Sequence, residues 1–565
     1  MQDAISFQTP VRDRLLTRLR ENARVFAPTR IEAGLAVASA LLLIFSFPDF
    51  DLWPLAWIGL APLLVAVARR PQLGRAFLLG WVTGTLFFYG SCYWLTYAMV
   101  RYGGLPSWIA FPLLVPGALV LGLFPALWAL GLARVIARWG ARALFCAPFL
   151  WVALEWARLV VTGQLWNAIG YSQAYIPSLI QTASWGGVYA VGFLIMTVNT
   201  ALAYLILVRE KRAALVAALA VGVVSCVLLL NRPSEASLEQ SNPSALVVAL
   251  QPNVPMDPVH STEETAALVN RHLLMSENAL HEWEDKQRRE VDGFARRGAI
   301  ADSPGTQARV ELPRVVIWPE SPMNFTYAQD AQFREIVARF ATENHASVLF
   351  NSLEPAPASG AYNSAVMVNE EGRAIAQYDK IRLLPFGEYV PLPRWLPGVN
   401  LVPVLVGDFT PGSNYPLMPL GEARAGVFIC FEAAFPSIAR RFAESGADVL
   451  INISNDGYLG PTPVMRQHLA NAVFRAVEND RPILRVTNTG ITAYVSQHGE
   501  VLEATEGFQP AVRTWTITRS TAGRTFYTRY GDLFVYCCAI LSLMLLIASF
   551  KKQSKVRGLK SRVRR

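Results

Sequence analysis

Eight long apolar stretches, joined by loops that differ sharply in Lys and Arg content, constrain this chain more than any other feature. They run over about 31–47, 53–68, 76–98, 107–133, 143–162, 187–208, 213–230 and 532–550. A helix needs about 20 apolar residues to cross a bilayer, fewer where flanking side chains reach for the interface. The pattern predicts a polytopic α-helical membrane domain of about eight spans, with a re-entrant segment as the alternative for the shortest, 53–68. Composition agrees, since 53% of residues are apolar and 16% charged, whereas soluble domains carry roughly a quarter charged.

The loops set an orientation. Arg69, Arg70 and Arg75 follow the second stretch, Arg134, Arg138 and Arg142 the fourth, and Arg209, Lys211 and Arg212 the sixth. The alternate loops are poor in basic residues: Pro48–Leu52 has none and Arg101 is alone after the third stretch. Basic residues from Arg12 to Arg30 precede the first stretch, and those from Lys551 to Arg565 follow the last. Cytoplasmic loops collect Lys and Arg, so both termini are expected in the cytoplasm and residues 231–531 outside it. The net charge of +9 is thereby explained by topology, and nucleic acid is not an expected partner.

The expected organisation is a basic N-terminus over 1–30, a seven-span domain over 31–230 and a polar linker over 231–244. An α/β domain follows over 245–518, then a connector and eighth span over 519–550 and a basic tail over 551–565. Within 245–518, β-rich runs at Ala245–Leu250, Val315–Trp318, Ser347–Asn351, Ala425–Cys430 and Val449–Ile453 alternate with helical ones. The helical patterns lie near Glu263–Glu282, Ala331–Asn344, Pro436–Ser445 and Val464–Asn479, and such alternation predicts sheets covered by helices. Residues 285–312, charged and without clear periodicity, read as a mobile surface insertion.

Five of the six cysteines lie in or beside apolar stretches, where a thiol behaves as a small hydrophobe; Cys430 alone lies in the polar part. No C-x-x-C spacing suggests a metal. Cys430 ends the run Gly426-Val427-Phe428-Ile429, with Glu432 two residues on. Pro319 stops the strand Val315–Trp318 and delivers Glu320 to a rim. In Tyr378-Asp379-Lys380-Ile381-Arg382-Leu383-Leu384-Pro385-Phe386-Gly387-Glu388-Tyr389, Lys380 and Glu388 flank a Pro/Gly turn. A cysteine attacks acyl carbon as thiolate, a form that a nearby lysine favours, and a carboxylate can shuttle its proton. His468, His260, His272 and His281 offer rival bases for a Cys/His protease, although no local signature of one surrounds Cys430.

Together and in this order, Glu320, Lys380 and Cys430 resemble the triad of the carbon–nitrogen hydrolase (nitrilase) superfamily, over about residues 245–518. The resemblance implies an α-β-β-α sandwich with Glu320 as general base, Lys380 stabilising the tetrahedral intermediate and Cys430 as nucleophile. Glu388 matches the additional glutamate that positions the triad, Phe431 and Glu432 would support it, and Ser454-Asn455-Asp456-Gly457 matches a further segment near the site. The membrane half narrows the likeness. Trp53-Pro54-Leu55-Ala56-Trp57, Tyr102-Gly103-Gly104-Leu105-Pro106, Trp166-Asn167-Ala168-Ile169-Gly170-Tyr171-Ser172-Gln173 and Thr525-Phe526-Tyr527-Thr528-Arg529-Tyr530-Gly531-Asp532 resemble segments of the apolipoprotein N-acyltransferase family.

That resemblance implies a multi-pass enzyme of the bacterial inner membrane with its catalytic domain on the periplasmic face. Its implied partners are the bilayer, a phospholipid acyl donor such as phosphatidylethanolamine and a diacylglyceryl apolipoprotein acceptor, with no cofactor and no metal. Three positions depart from the family pattern. Phe431 stands where Tyr is usual, Tyr458-Leu459 where Trp-Phe is usual, and His260 near a position where Trp is expected. Tyr458, Leu459 and His260 are the positions where the resemblance implies that substrate is gripped. Residues 385–410 and 457–463 are expected lids. The rival readings are a membrane-anchored amidase acting on a lipid amide and a non-catalytic binding or transport protein.

Overall fold

The computed structural model describes residues 27–48, 50–231, 243–256, 261–296, 312–320, 322–323, 325–357, 360–385, 387–390 and 409–551. His260, most of the 231–244 linker, most of the 385–410 loop and the basic residues before Arg30 and after Lys551 lie outside them.

The membrane half comprises α1 (Arg30–Ser46), α2 (Ala61–Arg69), α3 (Leu73–Ser91), α4 (Leu95–Arg101), α5 (Ser107–Trp139), α6 (Ala147–Thr162), α7 (Ala183–Leu207) and α8 (Lys211–Leu230). Thr29 starts α1 with a capping box, its hydroxyl accepting from Glu32 N while the Glu32 carboxylate accepts from Thr29 N. Among the described residues, five helices are long and apolar enough to cross a membrane: Ser107–Trp139, Ala141–Thr162, Ala183–Leu207, Lys211–Leu230 and Leu533–Phe550. The stretch expected over 76–98 is two helices, α3 and α4, separated by a turn at Cys92–Trp94. The 53–68 stretch is likewise not one rod, because short turns at Trp53–Leu55 and Ala56–Gly59 precede α2. Backbone groups freed by that break need partners away from water. Asn199 of α7 supplies them: its Oδ1 accepts from Leu60 N at 2.7 Å and Ala61 N at 2.9 Å, and its Nδ2 donates to Ala56 O at 2.9 Å. Helices α3 and α5 approach closely enough that a Cβ on Gly80 would stand 2.4 Å from Pro125 O, the small-residue contact that apolar helices use to pack.

The domain expected outside the membrane, the outer domain, holds two six-stranded sheets. In chain order its strands are β1 (Pro243–Gln251), β2 (Arg314–Ile317), β3 (Ala346–Pro355), β4 (Ala361–Val368), β5 (Ala374–Asp379), β6 (Leu417–Leu420), β7 (Ala423–Ile429), β8 (Val449–Ser454), β9 (Ile483–Thr487), β10 (Ala493–Val495), β11 (Val501–Leu502) and β12 (Ala511–Thr518). One sheet runs β12-β1-β2-β3-β4-β5 and the other β11-β10-β9-β8-β7-β6. In β1, Ala245, Val247 and Ala249 join the core shared with the second sheet, while Leu246, Val248 and Leu250 join a separate core with Phe333, Val337 and Phe340. This two-residue alternation places one face of the sheet against its partner and the other beneath helices. The covering helices are α9 (Thr262–Arg296) and α10 (Ala331–Glu343). On the second sheet, α11 (Pro436–Glu444) and α12 (Val464–Asn479) cover the outer face, giving four layers, α-β-β-α.

Two features differ from the sequence expectations. The helix α9 continues to Arg296, so the first part of the 285–312 segment is helical rather than an irregular insertion. Its charged turns are braced by Glu284, which accepts from Arg314 at 2.6 Å and lies 3.6 Å from Arg288 four residues on. The helix α12 has no solvent face: all but Met465 and Arg466 of its residues are buried. It lies between the second sheet and α7 of the membrane half, which explains why it shows no amphipathic pattern. The final helix, α13 (Leu533–Phe550), packs back on α6 and α5.

Candidate active site

Cys430 sits where β7 ends and a tight turn, Cys430–Ala434, begins. Its φ of 52° is left-handed, costly for a non-glycine residue and therefore held by its surroundings. Much of that hold comes from Glu432. Its Oε2 accepts from Ile429 N at 2.8 Å, and its Oε1 accepts from Ile381 N at 2.8 Å, Arg382 N at 3.0 Å and the Tyr378 hydroxyl at 2.8 Å. One buried carboxylate thus ties the cysteine turn to the strand end that carries Lys380. Beneath the turn, His468 bridges the Cys430 carbonyl, 2.9 Å from Nε2, and Asp456 Oδ1, 2.8 Å from Nδ1. Arg485 completes this layer with bonds to Asp456 Oδ2 at 2.9 Å and Asn452 Oδ1 at 2.6 Å. Burial opposes ionisation of Asp456, but Arg485 and His468 outweigh it and hold its carboxyl down at about 2.

Lys380 is buried and donates to Glu388 Oε1 at 2.9 Å, with Glu320 Oε1 at 3.5 Å. Burial alone would lower its pKa, yet Glu320, Glu388 and Cys430 together outweigh that and keep it cationic, above its ordinary value. Glu388 is fixed in turn by Leu384 N at 2.7 Å. Asn363 of β4 donates to Glu388 Oε1 at 2.7 Å and Glu320 Oε1 at 3.1 Å, while its own Oδ1 accepts from Asn351 at 2.7 Å. The structure therefore gathers Glu320, Lys380, Glu388 and Cys430 into one cluster. Burial, with Glu320 nearby, pushes the Cys430 thiol up to about 12 against the opposing pull of Lys380. Cys430 accordingly rests as a thiol, not as the lysine-stabilised thiolate that the sequence alone suggested.

The other expected positions fall into two groups. Tyr458 adjoins the cluster: burial first, then Glu320, push its hydroxyl up to about 12, and its ring packs 5.6 Å from that of Tyr102. Leu459 follows in the same short turn, its carbonyl accepting from Thr462 at 3.0 Å. Phe431 stacks on Trp166, with ring centroids 6.0 Å apart and planes 20° apart. Of the rival bases, His272 is buried against Trp318, 5.2 Å away, in the core beneath α9. Burial holds it down at about 4. The ring of His468 is committed to a carbonyl and a carboxylate, as above. Neither stands in the hydrogen-bonded relation to a cysteine thiol that a Cys/His protease needs.

Three of the aromatic-rich segments quoted above meet at the seam between the two halves, and the first, through Trp57, is braced within the membrane half. Trp57 donates to Gln173 Oε1 at 3.0 Å. The Tyr102 hydroxyl reaches Gly457 O at 3.4 Å. Thr528 donates to Asn479 at 3.0 Å and Thr525 to Glu478 O at 2.6 Å. In α7, Gly187 takes φ 65° and kinks the helix, and Val188 N, released by the kink, donates to Glu478 Oε1 at 3.0 Å. Glu478 also pairs with Arg475, which reaches Ala433 O at 3.2 Å in the cysteine turn. Sequence reasoning missed Asn351, Asn363, Gln467 and Arg485. For Asn351, Asn363 and Arg485 the signal was a polar residue interrupting an apolar strand; Gln467, on a helix, gave none.

A sandwich of two facing sheets with Glu320, Lys380 and Cys430 at its rim belongs to the carbon–nitrogen hydrolase class, and residues 302–527 match that family, described as "Carbon-nitrogen hydrolase". Residues 39–201 match "Apolipoprotein N-acyltransferase N-terminal domain". The apolipoprotein N-acyltransferase of Geobacter metallireducens is 33% identical over 539 residues, covering 92% of this chain and 95% of that protein. That of Thermotoga maritima is 29% identical over 542 residues, covering 93% and 95%. The chain belongs to the apolipoprotein N-acyltransferase family. Among solved structures, an amidase from Nesterenkonia sp. aligns at 16% identity with a TM-score of 0.34, covering 54% of this chain and 99% of its own.

Proposed function

We propose that this chain transfers a fatty acyl group from a phospholipid, through a thioester on Cys430, to the N-terminal amine of a diacylglyceryl-cysteine apolipoprotein. The observation that carries the reading is the buried ammonium of Lys380, held between Glu320 and Glu388 beside the thiol of Cys430. In the first half-reaction Glu320 takes the thiol proton as Sγ attacks the ester carbonyl. The oxyanion forms against Lys380, and that ammonium holds its place because Glu388 and Asn363 fix it. When the intermediate collapses, the C–O bond breaks, the lysophospholipid oxygen takes the proton from Glu320, and the thioester remains. In the second half-reaction the α-amine attacks the thioester. Glu320 accepts the amine proton, the C–S bond breaks and Cys430 recovers its proton. The product is an amide, and neither step calls for a nucleotide or a metal.

The donor is read as phosphatidylethanolamine. The eight-span topology, with both termini in the bacterial cytoplasm and the outer domain on the periplasmic face, rests on the alternation of basic loops. The division into 31–230, 245–518 and 519–550 goes with it. Both substrates keep their acyl chains in the bilayer, and a site joined to membrane helices along its seam meets them at the surface, where confinement raises encounter. The names of the relatives favour this transfer over hydrolysis of a lipid amide by the same residues.

Intact-mass measurement of the protein in phospholipid micelles tests it. Wild type should gain one acyl chain and lose it on addition of a diacylglyceryl lipopeptide that becomes N-acylated, and Cys430→Ala should gain nothing. Turnover to free fatty acid without the lipopeptide would defeat the transferase reading and put the amidase in its place.

A further inference from the structure

One side-chain amide in the seam is fully used by partners from the membrane half. Gln467 of α12 is 4% exposed. Its Oε1 accepts from Trp94 Nε1 at 3.0 Å and from Trp166 Nε1 at 2.9 Å. Its Nε2 donates to Pro48 O at 3.0 Å and Ser91 O at 3.1 Å. A primary amide has two acceptor lone pairs and two donor hydrogens, and here all four are taken. The partners come from three separate places in the membrane half: the turn after α1, the end of α3 with the turn that follows it, and the loop after α6. Trp94 and Trp166 pack on each other with centroids 5.5 Å apart, and Trp166 then lies flat against Phe431, the residue after Cys430. The residue after Gln467 is His468, which holds the Cys430 carbonyl.

We propose that Gln467 is a positioning residue for the acyl-donor step: it holds the Trp94–Trp166 pair as a wall beside Phe431 and so sets how a membrane-borne acyl chain presents its carbonyl to Cys430. The proposal rests on reading Cys430 as the acylated nucleophile. No side chain of the same length replaces it. A glutamate would keep both indole bonds but set a carboxylate oxygen against the lone pairs of Pro48 O and Ser91 O. A leucine would take the Gln467 partner from the Trp166 N–H and from Pro48 O, and would leave Trp94 Nε1 with only its bond to Ser91 O at 3.0 Å. Gln467 touches no reacting atom, so the triad should still react with a small ester that needs no guidance from the wall.

The experiment compares wild type with Gln467→Glu and with Trp166→Phe, as full chains in detergent micelles. Trp166→Phe keeps a ring against Phe431 but removes the N–H that Gln467 accepts. The acylation rate of Cys430 is read by intact mass with two donors, phosphatidylethanolamine and the water-soluble p-nitrophenyl butyrate. Expected for both variants is a loss of roughly 10- to 100-fold with the phospholipid and a change within about twofold with the soluble ester. A parallel loss with both donors, which a merely structural residue would give, overturns the proposal, as does no loss with either. If wild type forms no adduct with either donor, the reading of Cys430 as the nucleophile falls, and the proposal with it.

Discussion

Protonation at single atoms carries much of the chemistry. Among the described residues no main-chain N–H donates to Glu320, whereas Glu388 and Glu432 are pinned by backbone N–H groups. That suits the proton transfer proposed for Glu320. Glu320→Gln should keep the bond from Asn363 but lower the rate of Cys430 acylation by roughly 10²- to 10⁴-fold, measured by intact mass against time. The state of the thiol can be tested separately. A cysteine with an ordinary pKa approaches its limiting rate of alkylation soon after pH 9, but burial and Glu320 hold Cys430 at about 12. Its iodoacetamide reactivity, followed on the Cys430 peptide by mass spectrometry, should keep rising with pH through 10 with no plateau. A plateau near neutrality would mean a resting thiolate and would remove the need for Glu320 as base.

At the scale of elements, the layer under Cys430 joins β8, β9 and α12 through Asp456, Arg485 and His468. Asp456→Asn leaves Arg485 facing an amide in place of a charge, and should cost on the order of 3 kcal/mol. Asp456 binds its proton less readily folded than unfolded, about 2 against 3.8. Its contribution is therefore complete above 3.8 and is lost as pH falls through about 2. Thermal unfolding in detergent should show wild type and Asp456→Asn furthest apart at pH 5 and converging as pH falls from 4. The same elements show what a sequence can and cannot reveal. The five strands expected from uninterrupted β-rich runs are present, because strands buried on both faces read as such runs. Of those not expected, β4, β5, β9 and β12 mix polar with apolar residues, and β6, β10 and β11 are only four, three and two residues long. Asn363 and Arg485 look like flaws in a strand until Glu388 and Asp456 are brought beside them. Cys430 and Glu320 stood out at the ends of expected strands and Lys380 beside a Pro/Gly turn, all local signals. The network that holds them is tertiary and left no local trace.

For the whole molecule, the halves are joined along a polar and aromatic seam, and the proposed orientation places the α/β domain on the periplasmic side of it. Cysteine labelling with a membrane-impermeant maleimide tests the orientation. Glu506→Cys, exposed in the outer domain, should label in intact cells whose outer membrane has been opened, and Arg212→Cys, exposed in the first turn of α8, only after the inner membrane is breached. The reverse pattern would place the catalytic domain in the cytoplasm.

The pairing of β1 with β12 has a consequence in time. Residues 245–251 of β1 pair with Ala511–Ile517 of β12, at opposite ends of the outer domain. A ribosome makes β1 soon after the seventh apolar stretch, and delivers β12 only after nearly everything between has emerged. For all that interval a long apolar strand has one open edge, the kind that recruits neighbouring chains. The first sheet can be sealed only shortly before α13 enters the bilayer, so a message truncated just before residue 511 would yield a chain with its Cys430 turn already synthesised and its first strand still waiting for a partner.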